Sequence, residues 1–97
     1  MPPKGRSTSI AVTDEDFVRT LQARVRDHPG DVDALTALGV WLLQRDQADK
    51  ALECFHRVTR KDPAYPGIWR LKAQAFEALG DRKSAEACRK RGSEKPA

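Results

Sequence analysis

The sequence predicts an all-α fold, a short solenoid of five antiparallel helices in a right-handed stack. Three observations lead there. Apolar residues recur at three- and four-residue spacing in five separate stretches. The breaks between these stretches carry proline, glycine or aspartate, which stop helices. Between residues 29 and 88, residues 34 positions apart match in type, as Cys54 matches Cys88.

Residues 1–12 contain Pro2, Pro3, Gly5, Ser7, Thr8 and Ser9 with little apolar content, which cannot offset the entropy of ordering, and read as a flexible tail. A helical domain is expected over 13–92. Its leading helix, 14–28, opens on Thr13-Asp14-Glu15-Asp16, an acidic start with Asp16 placed to complete a capping box. Phe17, Leu21 and Val25 then form one apolar stripe, and His28-Pro29-Gly30-Asp31 ends the helix because proline cannot extend the backbone ladder.

A second helix from about Val32 to Gln44 carries Leu35, Leu38, Leu42 and Leu43. After the turn Arg45-Asp46-Gln47, a third turns Ala51, Leu52, Phe55 and Val58 inward and stops before Asp62-Pro63. The fourth is expected to begin near Pro66, since proline suits the first helical position, with Ile68, Trp69, Ala73 and Phe76 as its stripe. The fifth is the most polar, with Ala85 and Cys88 inward and Gly92 as its stop, leaving 93–97 to fray.

Sliding the sequence by 34 residues pairs Pro29 with Pro63, Leu35 with Trp69, Gly39 with Ala73, Leu42 with Phe76 and Ala51 with Ala85. Two helices in such a period resemble the tetratricopeptide repeat, in which an aromatic, Leu-Gly, an aromatic, alanine, an aromatic and proline recur. Repeat one, 32–65, supplies Leu35, Leu38-Gly39, Leu42, Ala51, Phe55 and Pro63; repeat two, 66–92, supplies Trp69, Ala73, Phe76, Gly80-Asp81 and Ala85. The small residues mark close helix approach, and the large ones interlock between neighbouring helices. Lys72 stands where leucine is usual and Arg89 where an aromatic is usual, changes suited to a terminal unit whose outer face meets water.

The resemblance implies a non-catalytic protein–protein interaction module, an adaptor or small chaperone, that binds a protein or peptide segment in a concave groove lined by the first helix of each repeat. Carried onto this chain, the groove-facing positions are Asp33, Thr36, Val40, Leu43 and Gln44, with Arg70, Gln74 and Glu77 in repeat two. Some relatives use a lysine and asparagine clamp for a partner's C-terminal carboxylate. Here Thr36 and Val40 occupy the matching places, and no such clamp is expected.

Composition narrows the remaining classes. Glycine-rich phosphate loops and H-E-x-x-H or C-x-x-C motifs are missing, so neither an enzyme nor a cofactor is expected. Cys54 and Cys88, on neighbouring helices, read as buried structural thiols, and with His56 they lack zinc-ligand spacing. Trp41 reads as core, packed against the leading helix with its ring N–H partnered. No apolar run suggests a signal peptide or membrane span, and a cytoplasmic location is expected. The net charge of +4 and the basic run Arg82, Lys83, Arg89, Lys90 and Arg91 make nucleic-acid binding the alternative, disfavoured because no aromatic is interleaved for stacking. A homo-oligomeric structural subunit is the other alternative.

Overall fold

The computed structural model describes residues 14–93. They form α1 (Asp14–Asp27), α2 (Val32–Gln44), α3 (Ala48–Lys61), α4 (Ile68–Ala78) and α5 (Arg82–Ser93). The expected tail, the Thr13 cap and residues 94–97 lie outside the described residues. Each helix packs against the next in the chain, and α2 also touches α4. This is the all-α helical repeat that the sequence predicts.

The 34-residue period is written into the turns as well as the helices. Asp46 and Gly80 are both left-handed, at φ 62° and 81°. In each case the next residue's N–H reaches back to the helix, Gln47 to the Leu42 carbonyl and Asp81 to the Phe76 carbonyl, both at 2.9 Å. This is the six-to-one bond of a Schellman end, which satisfies a carbonyl that the finished helix leaves open. Between repeats, the Asp31 N–H meets the His28 carbonyl and the Tyr65 N–H meets the Asp62 carbonyl, again in equivalent positions.

Aspartates start two of the helices. Asp31 accepts from the Ala34 N–H at 3.0 Å and from the Arg24 guanidinium at 2.8 Å, tying the end of α1 to the start of α2. Asp81 accepts from the Ser84 N–H and hydroxyl at 3.1 and 2.7 Å. These bonds hold both carboxyls below their ordinary pKa, led by the Ala34 N–H for Asp31 and by the Ser84 hydroxyl for Asp81.

The main core joins Leu21 of α1, Ala34, Leu35 and Leu38 of α2, Ala51, Cys54, Phe55 and Val58 of α3, and Ile68 and Ala75 of α4. Phe55 is wholly buried, and Gly39 faces it: a Cβ there would lie 2.3 Å from Phe55 Cε1. The second cluster is much smaller, Ala73, Ala85 and Cys88, with Trp69 and Phe76 partly covering it. Both cysteines are buried free thiols, pushed up in pKa by burial.

Four local expectations change. Phe17 is 45% exposed, and Val18 instead joins Leu21 and Val25 against the core, so Val18 replaces Phe17 in the buried stripe of α1. The fourth helix begins at Ile68, two residues after Pro66, because Gly67 takes a left-handed conformation at φ 77° and acts as its N-cap. Gly92 does not stop α5; it lies inside it, where a Cβ would approach Trp69 Cβ to 3.1 Å. Its small size lets the last turn of α5 close on the first turn of α4. Trp41 is partly exposed rather than core; its ring N–H is buried without a hydrogen-bond partner among the described residues, and the Arg45 guanidinium lies 4.9 Å from the ring centre.

Candidate functional site

The groove positions follow helix spacing. Asp33, Thr36, Val40, Leu43 and Gln44 recur along one face of α2, and Arg70, Gln74 and Glu77 along one face of α4. Asp33 and Gln44 are exposed, as are Arg70, Gln74 and Glu77, whereas Thr36, Val40 and Leu43 are half-buried. Val40 and Leu43 pack partly against the main core, so their aliphatic surface is anchored below while its outer part meets solvent. The face thus combines a small fixed apolar strip with polar neighbours.

At one end of this face the Tyr65 phenol donates to the Asp33 carboxylate. That bond and partial burial raise the pKa of Tyr65. Thr36 donates its hydroxyl to the Val32 carbonyl at 2.7 Å, within its own helix. Tyr65 belongs to the connection between α3 and α4, so its bond to Asp33 ties α2 to the segment that leads into α4. The repeat register puts Tyr65 opposite Asp31 and carried no hint of this partnership.

The α4 residues are not equivalent. Glu77 is bound by Arg89 of α5 at 2.8 Å, which draws it toward the second helix of its own repeat. Gln74 is exposed. Arg70 lines a cleft of about 740 Å³ together with Arg89 and Arg91, beside Tyr65 and Trp69. Trp69 is held there by its ring N–H, which donates to the Pro63 carbonyl at 2.8 Å, and by the Arg91 guanidinium 4.7 Å from its ring centre.

Lys72 lies beneath this region. It is only 6% exposed, with its ammonium 4.3 Å from the Trp69 ring centre and 3.4 Å from the Thr59 hydroxyl. Burial pushes its pKa below the usual lysine range. Lysine at a leucine position signalled an outer face turned to water; the structure shows instead that the side chain is sequestered, its stem packed and its charge resting on an aromatic ring.

Among the described residues no group of three or more His, Cys, Asp and Glu side chains converges as a metal site would. His56 stands edge-on to Phe76, with ring centres 6.2 Å apart. Burial foremost, and then the Lys72 and Arg60 charges, lower its pKa. No helix among the described residues is long and apolar enough to cross a membrane.

Comparison with curated proteins finds no match. The family model described as tetratricopeptide repeat matches residues 12–92, which include all five helices but the last residue of α5. Members of this family are in general protein–protein interaction modules rather than catalysts. The repeated turns, the Gly39–Phe55 packing and this match agree: the chain belongs to the tetratricopeptide repeat family.

Proposed function

We propose that the chain is an adaptor that holds a segment of a partner protein along the face shared by α2 and α4. The observation that carries this reading is the half-buried pair Val40 and Leu43, fixed from beneath by the core and accompanied on the same face by exposed Asp33, Gln44 and Gln74. Anchored apolar surface loses little entropy on binding, and nearby polar groups set register. The Tyr65–Asp33 bond supports it further by tying α2 to the turn that leads into α4. A cytoplasmic setting fits two reduced, buried thiols.

The test requires substitutions that leave the core intact. Leu43 packs on the core, so a charged residue there would report unfolding as readily as binding. Gln44→Tyr with Gln74→Tyr places neutral bulk at exposed positions of α2 and α4. Proteins captured by the wild type after nuclease treatment should be lost with this variant. Unchanged capture would reject the face, nuclease-sensitive capture would favour the basic α5 as a nucleic-acid site, and a stable dimer by light scattering would favour self-association.

A further inference from the structure

The cleft between the start of α4 and the end of α5 is a second site, which shares Arg70 with the groove positions of α4 and opens away from α2 toward α5. We propose that it takes an acidic segment of a partner protein, with aspartate or glutamate carboxylates seated on Arg70 and Arg91. None of the residues lining the cleft is acidic, while three are arginines. Arg89 is partly neutralised by Glu77 at 2.8 Å, but Arg70 and Arg91 form no ion pair with any described residue. Two guanidiniums in one concavity, unpaired among the described residues, make a local excess of positive potential that favours an incoming anion.

The walls favour a polypeptide. Pro63, Tyr65, Pro66 and Trp69 give the cleft an apolar side opposite its cations, which suits the alternating aliphatic and carboxylate groups of an extended acidic chain. Guanidinium forks match carboxylates two bonds at a time. Arg91 is already placed by Trp69 and Arg89 by Glu77, so part of the ordering a ligand would impose has been done in the fold. A nucleic-acid single strand would instead need an open aromatic face for stacking, and the Trp69 ring is engaged by Arg91 and Lys72. Gly92 also lines the cleft, and a Cβ at that place would approach Trp69 Cβ to 3.1 Å.

The experiment titrates the whole chain with a fluorescein-labelled peptide of alternating glutamate and alanine, its glutamine counterpart, and an oligo-thymidine of similar length. The acidic peptide should bind and the glutamine peptide should not. Arg70→Gln with Arg91→Gln should weaken binding by about tenfold or more, the worth of one lost charge-assisted contact. Gln44→Tyr alone, on α2 and outside the cleft lining, should leave it within about twofold, which separates this site from the groove reading. In proton–nitrogen spectra the Trp69 indole signal should move on titration while that of Trp41 stays. If the double variant loses helix, exposed Arg70→Gln alone carries the comparison. No binding of the acidic peptide, equal binding of the glutamine peptide, full affinity in the arginine variants, or tighter and competing binding of the oligonucleotide would each overturn the proposal.

Discussion

Replacing Gly39 with alanine tests the packing on which the repeat is built. The new Cβ would stand 2.3 Å from Phe55 Cε1 and 2.9 Å from both Cδ1 and Cζ. Carbon atoms prefer about 3.5–4.0 Å, so the nearest contact is short by more than an ångström. Relief requires either the Phe55 ring to turn or α2 and α3 to separate. Phe55 has no exposed surface and sits among Leu35, Val58 and Ile68, so the ring has nowhere to go.

Overpacking of a closed core costs about 1–3 kcal/mol, and an overlap this large belongs at the upper end. Alanine in a helix interior returns about 1 kcal/mol relative to glycine. The net loss should be about 2 kcal/mol, or a fall of roughly 8–16 °C in the melting temperature of a chain this size. Thermal and urea denaturation followed by far-ultraviolet circular dichroism would measure it. Adding Phe55→Leu should recover part of the Gly39→Ala loss, since the smaller side chain vacates the overlap; the double variant should lose less than the sum of the singles. A Gly39→Ala protein as stable as wild type would refute the contact.

Four further outcomes follow from the same structure. Lys72→Met should stabilise the fold by about 1 kcal/mol by removing a desolvated charge while keeping the stem volume; because the folded Lys72 pKa is depressed, the unfolded chain binds that proton more tightly, so wild-type stability should rise with pH between the folded value and the ordinary 10.5, and the gap to Lys72→Met should narrow there. Asp46→Gly should add about 0.5 kcal/mol, since Asp46 holds a left-handed φ of 62° that glycine adopts without strain, and denaturation midpoints would show it. Asp31 and Asp81 have depressed folded pKa values, so their contribution is full above the ordinary carboxylate value of 3.8 and is lost as pH falls through the folded values; urea titrations from about pH 5 to about pH 2 should show a shallower acid loss in Asp31→Asn/Asp81→Asn. Cys54 and Cys88, buried with raised pKa values, should react slowly with an aromatic disulfide reagent in the native protein and at once in denaturant; fast native reaction of both would contradict their burial.

The features legible in the sequence were those that repeat. The period, the Gly39–Ala73 and Ala51–Ala85 pairs, and the inward Leu35, Phe55 and Val58 all follow from spacing, because each helix must bury one stripe against a neighbour. What spacing missed was set by contacts between distant residues. Phe17 fits the stripe of α1 as well as Val18 does, and only the helix lying beside it decides which is covered. Pro66 suits a helix start, yet Gly67 follows and takes the left-handed turn that delays α4. Glycine near a C-terminus usually means a stop; Gly92 lies inside α5 instead, in close approach to Trp69.

The positions of the candidate groove were readable because they share a helix face, but their inequality was not. Arg70 and Arg91 are 21 residues apart on different helices, a spacing with no periodic meaning, and they meet only because α5 returns antiparallel to α4. Lys72 and Arg89 break the apolar pattern for the same local reason: the second cluster offers only Ala73, Ala85 and Cys88 under Trp69 and Phe76. With so little apolar area, α5 depends on the Arg89–Glu77 pair and on the Arg91 guanidinium resting on Trp69, itself held by the Pro63 carbonyl. Exposed ion pairs and single aromatic contacts stabilise weakly, so the α4–α5 pairing, though extensive, rests on few fully buried side chains. A ligand that joins Arg70 of α4 to Arg91 of α5 would therefore do more than occupy a surface. It would bind only the docked arrangement, and by mass action it would add its own binding energy to the α4–α5 junction.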